Sequence, residues 1–250
     1  MAKLQINGDI HDIQGVLFDK DGTLIELHSL WSAWFKKICD EIDYQQPQLK
    51  LNKIKLADSI GLDLDNNMIS QKGPLAIGTM QDIAVIMAHH LYLKAVPWNE
   101  AVQLVQNSFT KVHETIDWEE LLQPLQGLVN FLNNANKSGI KMGVVTSDDT
   151  DIAKKHLSIL KIDHFFDAII GSDQVDLPKP FPEIGLKACR LMNIHSEKVI
   201  VIGDTDGDMN LGKNLNSIAN IGVVTGDPEN NHHFTEANYI INHYDQITIL

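Results

Sequence analysis

A chain of 250 residues, 44% apolar and 21% charged, has ample material for a packed core, in one large domain or two small ones. Its formal net charge of −13 and its single arginine, Arg190, leave no broad basic face, which argues against nucleic acid or an anionic membrane surface as a partner. Two distant cysteines, Cys39 and Cys189, are too few for a disulfide scaffold. With no signal-peptide-like or membrane-length apolar run, the expectation is a cytoplasmic protein with reduced thiols.

Residues 14–18 read as a buried strand, preceded by a hairpin at Asn7-Gly8. From about residue 30 to 113 helical periodicity takes over. Stretches 31–42, 81–94 and 98–113 predict amphipathic helices, Pro97 suits a helix start, and Gly73-Pro74 marks a loop. Beyond about residue 118, apolar strands at 140–145, 166–170, 199–202 and 218–223 alternate with helices at 151–160, 181–192 and 208–216. A last strand is expected at 239–241. The alternation predicts an α/β fold, a mostly parallel sheet wrapped by helices and interrupted after its first strand by a helical insert. The expected division is a core of residues 1–27 and 118–250 around an insert of residues 28–117.

In an open α/β sheet, ligands bind beyond the carboxyl ends of the strands, and chemically capable residues gather there repeatedly. Asp19 and Asp21, in FDKDGTL, follow the first strand, and Thr146-Ser147, in VVTSDD, follow the strand at 140–145. Lys179, in DLPKPFPE, follows the strand at 166–170, and Asp204 and Asp208, in VIVIGDTDGDM, follow the strand at 199–202. Taken alone, Asp-x-Asp is also an ordinary strand-ending turn. A calcium loop needs Gly at its sixth position and Glu at its twelfth. Counted from Asp19 these hold Leu24 and Leu30, and from Asp204 they hold Met209 and Leu215. Gly207 to Lys213 spells G-x-x-x-x-G-K, but Asn214 stands where Ser or Thr is required and the run lies inside a predicted helix. Crowding four aspartates is costly unless one stays protonated or a cation neutralises them. Mg²⁺, a small hard cation, suits such an all-oxygen set.

Together, the DKDGT, Thr146-Ser147, Lys179 and GDTDGD segments, in that order, resemble the four motifs of the haloacid dehalogenase superfamily. The resemblance covers the whole α/β part. It implies a Rossmann-like, three-layer core with an inserted all-helical cap, as in the phosphoglycolate phosphatase-like branch. It also implies a Mg²⁺-dependent phosphatase acting on a small phosphorylated metabolite through an aspartyl-phosphate. In that scheme Asp19 is the nucleophile and Asp21 the general acid and then base. Thr146 holds a phosphoryl oxygen, and Lys179, flanked by Pro178 and Pro180, neutralises charge. Asp19, the backbone carbonyl of Asp21, and Asp204 bind the metal, with Asp208 assisting. Related dehalogenases lack an acid at the position of Asp21 and cation-pumping ATPases carry Thr, so Asp21 points to phosphate esters. A phosphomutase resembling β-phosphoglucomutase, and a non-catalytic phosphometabolite-binding protein, are the alternatives. A closing cap would favour small substrates over macromolecules. Substrate and oligomeric state are left open.

Weaker signals read as structural. His89-His90 and His232-His233 lack a ligand-spaced partner, Lys50, Lys53 and Lys55 suit a solvated face, and Met80 and Met87 suit a core. His28, where the chain should leave the core, is a candidate to overlook the substrate.

Overall fold

The computed structural model describes residues 2–26, 30–66, 68–70, 72–224 and 234–250. The chain enters through strands β1 (Ala2–Ile6) and β2 (Asp9–Ile13), joined at Asn7 and Gly8. Both turn residues have positive φ (50° and 92°), the geometry that a two-residue hairpin requires and that Asn-Gly favours. Strand β3 (Gly15–Phe18) follows and is buried at every position, as a central parallel strand must be.

Next come helices α1 (Leu30–Gln45) and α2 (Lys53–Ser59), strands β4 (Leu62–Asp63) and β5 (Met68–Ile69), and helices α3 (Pro74–Ile77), α4 (Met80–Tyr92), α5 (Trp98–Thr115) and α6 (Trp118–Leu121). The chain then runs through α7 (Leu128–Lys137), β6 (Lys141–Val145), α8 (Thr150–Ile159), β7 (Ala168–Ile170), α9 (Glu183–Met192), β8 (Val199–Gly203), α10 (Asp206–Leu215), β9 (Ala219–Val223), β10 (Tyr239–Ile241) and β11 (Ile247–Ile249). Two compact units result, Met1–Glu26 with Leu122–Leu250, and Leu27–Leu121.

In the first unit, six strands form a wholly parallel sheet in the order β10-β9-β8-β3-β6-β7. Strand order reverses at β3, which lies between β6 and β8, so the crevice at its carboxyl end is the expected ligand site. Helices α9 and α10 cover one face, where Ile184, Ala188, Leu211 and Leu215 pack on Leu17, Val145, Val199 and Val201. On the other face Phe18 meets Phe131 of α7 and Phe166 edge-on, with Tyr244 tilted against it. The result is a three-layer, Rossmann-like α/β fold. A separate antiparallel sheet, β11-β1-β2, joins the two ends of the chain.

In the second unit α1, α4 and α5 pack together around Phe35, Ile38, Met87, Leu91 and Val105. Thr79 and Asp82 form a capping box at the start of α4, and Asn52 caps α2. The unit is not all helix, because β4 and β5 form a two-stranded antiparallel ribbon. Its turn is tied by Asp63, whose carboxylate accepts from the N–H groups of Asp65 and Asn66. Trp118 donates its indole N–H to the His113 carbonyl (2.9 Å), which fastens α6 to the end of α5. Among the described residues, no helix is long and apolar enough to cross a membrane.

Candidate active site

Strands β3, β6 and β8 lie in register, Phe18 pairing with Val144 on one side and Ile202 on the other, so their carboxyl ends finish at one level. Asp19 extends the β3 ladder by donating its N–H to the Ile202 carbonyl (2.9 Å), and Thr146 extends that of β6 toward Ile170 (3.0 Å). The chain turns sharply after Asp21. Gly22 takes a left-handed φ of 78°, and the N–H groups of Leu24 and Ile25 fold back onto the Lys20 carbonyl. At the end of β8, Gly203 serves a different need. A Cβ there would come 2.2 Å from the Cβ of Asp208, so only glycine lets the first turn of α10 close over the strand end.

These placements bring Asp19, Asp204 and Asp208 together, all buried, each with a carboxylate oxygen within 4.8 Å of the others. Lys179 reaches in from the loop after β7, its Nζ 2.6 Å from Asp19 Oδ1 and 2.7 Å from Asp208 Oδ1. The other oxygen of Asp208 is spent on the α10 capping box, accepting from the Thr205 N–H (3.1 Å) and hydroxyl (2.6 Å). Asp208 therefore aims Lys179 and caps its own helix at the same time. Asp204 Oδ1 is different: it is buried without a hydrogen-bond partner. An orphaned carboxylate oxygen among three converging carboxylates fits a hard cation with oxygen ligands.

Burial is the largest influence on these charges. It pushes the Asp19 carboxyl up to about 7 against the pull of Lys179, with Asp208 and Asp21 repelling in the same direction as burial. Asp204 is raised well above the usual carboxylate range by burial and then by Asp19 and Asp208. Burial alone would lower Lys179, but Asp19 and Asp208 outweigh it and hold the ammonium above its ordinary value.

The Asp21 carboxylate does not join the cluster. It turns to Lys20, whose Nζ lies 2.6 Å from Asp21 Oδ1, and its side chain keeps 18% of its surface exposed. Its pKa is raised, chiefly by burial and with Asp148 adding to it, while Lys20 pulls the other way. Thr146 is buried, and its hydroxyl oxygen accepts from the Asp148 N–H (3.2 Å). Four further residues here, Lys20, Asp148, His156 and Tyr244, have no role in the sequence reading. Lys20 is wholly buried and also meets Asp148 Oδ2 (3.1 Å) and His156 Nδ1 (3.3 Å). Burial would lower the Lys20 pKa, yet Asp148 and Asp21 raise it, so it stays charged. Tyr244, from the segment before β11, is buried beside Phe18 and donates its hydroxyl to the Thr23 carbonyl (3.1 Å). Its phenol is pushed up by burial and then by Asp19 and Asp204.

The model of the family described as "Haloacid dehalogenase-like hydrolase" matches residues 16–223. The chain belongs to that family. Among relatives, pyrophosphatase PpaX of Halalkalibacterium halodurans is 31% identical over 102 residues, 41% of this chain and 47% of that one. Phosphoglycolate phosphatase of Aquifex aeolicus is 35% identical over 91 residues, 36% of this chain and 43% of that one. The chain thus spans a little under half the length of these two relatives. A β-phosphoglucomutase from Clostridium difficile superposes with a TM-score of 0.64 at 18% identity, covering 94% of this chain and 92% of its own, which shows a shared fold.

The remaining candidates stay structural or fall outside the described residues. His28 and His232-His233 are in the latter class. His89 is exposed and stacked on Tyr92, Lys53 is ion-paired to Asp40 and Asp43, and Met87 is buried while Met80 is half-buried. Gly207 to Lys213 lies within α10, so it forms no phosphate loop. Both cysteines are free and buried, and burial pushes Cys39 up to about 12 and Cys189 up to about 11.

Proposed function

We propose that this haloacid dehalogenase-like hydrolase is a Mg²⁺-dependent phosphatase that hydrolyses a small phosphomonoester through an aspartyl-phosphate on Asp19. The observation that carries the reading is the buried meeting of Asp19, Lys179 and Asp204, with the orphaned Asp204 oxygen, while a second acid, Asp21, stands apart two residues after Asp19. A structural ion pair needs no unpaired carboxylate beside it.

The steps follow from the groups. A carboxylate oxygen of Asp19 attacks phosphorus and the bond to the leaving oxygen breaks, while Asp21 gives that oxygen its proton. Asp21, now ionised, takes a proton from water. The water oxygen bonds phosphorus, the bond to Asp19 breaks, and inorganic phosphate leaves. Lys179 offsets charge on Asp19 and the phosphoryl group, and the Thr146 hydroxyl donates to a phosphoryl oxygen. Asp19, Asp204 and the Asp21 backbone carbonyl would hold the cation, with Asp208 as the aligning partner. The bound cation supplies positive charge against the phosphoryl oxygens. A net charge of −13 supports a small substrate over a polyanion.

The test is phosphate release from a panel of phosphoglycolate, sugar phosphates and pyrophosphate, with Mg²⁺ and with EDTA. Pyrophosphate is included because a relative is named for it, and transfer to a sugar hydroxyl in place of release would favour the mutase. No release from any member with Mg²⁺, or release indifferent to EDTA, would sink the proposal.

A further inference from the structure

Lys20 is a puzzle that the reaction scheme leaves unsolved. It stands between the two aspartates of the motif, yet its side chain has no solvent exposure at all. A buried ammonium persists only where partners satisfy it, and here two hydrogen-bond partners and one further ion-pair partner surround it. They are Asp21 Oδ1 at 2.6 Å, Asp148 Oδ2 at 3.1 Å and His156 Nδ1 at 3.3 Å. The partners differ in kind. Asp148 and His156 are buried and come from the loop after β6 and from α8. Asp21 is the one member that reaches outward, and Lys20 takes only one of its oxygens.

The anchor leads back to the site. Asp148 lies two residues after Thr146 and donates its backbone N–H to the Thr146 hydroxyl oxygen at 3.2 Å. A continuous chain of contacts therefore runs Asp21–Lys20–Asp148–Thr146 and ties the turn after β3 to the end of β6. Asp21 needs such a tie, because it sits directly before the left-handed Gly22, in a turn with no strand ladder of its own. A carboxylate that must present one oxygen first to an alkoxide and then to water gains from having its other oxygen held.

We propose that Lys20, locked by Asp148 and His156, is a positioning residue that holds Asp21 Oδ1 and so fixes Asp21 Oδ2 as the proton-transferring oxygen. This rests on the reading of Asp21 as the general acid and base. Lys20 itself touches no reacting atom.

Leaving-group dependence tests it. kcat/KM reports only the steps up to departure of the leaving group, and p-nitrophenolate leaves with little help from an acid whereas an alkoxide does not. Phosphoglycolate and p-nitrophenyl phosphate are compared for the parent protein, Asp21→Asn, Lys20→Met and Asp148→Asn, with melting curves to confirm folding. Asp21→Asn is expected to lower kcat/KM on phosphoglycolate by about a hundredfold or more and to spare the aryl ester. Lys20→Met is expected to show the same pattern with a loss of about ten- to a hundredfold, and Asp148→Asn a smaller loss of the same selectivity. Equal slowing of both esters by Lys20→Met and Asp148→Asn, while Asp21→Asn discriminates, overturns the role of Lys20 and leaves the phosphatase reading standing. If Asp21→Asn itself fails to discriminate, the acid assignment falls, and this inference with it. Failure of both network variants to fold would make the contacts purely architectural and also overturn the assignment.

Discussion

Replacing Lys179 with methionine removes one ammonium and almost no volume, and the consequence for charge is severe. Its Nζ contacts Asp19 and Asp208 at 2.6 and 2.7 Å, in a setting where all three side chains are less than a tenth exposed. At an effective dielectric of about 20, each contact is worth about 6 kcal/mol before the desolvation of lysine is subtracted. Breaking a buried pair typically leaves a net loss of about 3–5 kcal/mol. For a protein of this size that is a fall in melting temperature of roughly 6–20 °C without metal at pH 8. The loss should shrink at pH 5. Asp19, raised from 3.8 to about 7, is then protonated in the parent, so the missing ammonium costs only its bond to Asp208. On the chemical side, losing a charge aimed at the transferring group should lower kcat by about a hundred- to a thousandfold. Differential scanning calorimetry at the two pH values, with phosphate-release kinetics, checks both halves. A stability loss that is the same at pH 5 and pH 8, or an unchanged kcat, would refute the reasoning.

Asp204→Asn should raise the melting temperature of the metal-free protein, since it removes a buried carboxylate with an unpartnered oxygen, and should weaken activation by Mg²⁺ at least about tenfold. A lower melting temperature with unchanged Mg²⁺ dependence would count against Asp204 as a ligand. Because the folded state holds protons on Asp19 and Asp204 more tightly than the unfolded chain, their contribution to metal-free stability is fully present below the unfolded value of 3.8, and that of Asp19 is lost as pH rises through about 7. Mg²⁺ must displace those protons, so its stabilising effect in thermal-shift assays should be larger at pH 8 than at pH 5.5, and a pH-independent shift would contradict this. Tyr244→Phe deprives the Thr23 carbonyl of a buried donor, at a cost of about 1–3 kcal/mol in urea unfolding, with a lower kcat and unchanged KM. An unaltered unfolding midpoint would show that the hydroxyl does not brace the catalytic turn.

The sequence carries this site because a parallel sheet converts chain order into proximity. Apolar runs such as Val199–Gly203 announce buried strands, and the first polar residues after them must emerge at one edge. Asp19, Thr146 and Asp204 fall at that edge for this reason, whereas Lys179 lies well beyond the end of β7 and reaches Asp19 only through the fold of its loop. Lys20 was not legible, since a lysine between two aspartates reads as solvated until Asp148 and His156 are seen to enclose it. Nor was Tyr244, which reaches the Thr23 carbonyl only through the fold.

Helix α7 escapes a reading of the sequence because its four asparagines lower helix propensity. Its Leu128, Phe131, Leu132 and Ala135 nevertheless line one buried face at helical spacing. The strand expected at 166–170 begins at Ala168, after a 3₁₀ turn at Asp163–Phe165 takes up the preceding residues. Likewise the helix expected from 181 starts at Glu183, with Pro182 at its N-cap. Strand β11, three residues long, is too short to stand out and gains its meaning from β1, Ile249 pairing with Leu4 across nearly the whole chain.

The central claim is that the phosphoryl group passes through Asp19. It is tested most directly by quenching the protein in acid during turnover of phosphoglycolate with Mg²⁺, reducing with borohydride and mapping peptides by mass spectrometry. An aspartyl-phosphate is reduced to homoserine, and the account predicts homoserine at position 19 that depends on both substrate and Mg²⁺. Homoserine at another aspartate, or active turnover with none at position 19, would contradict it.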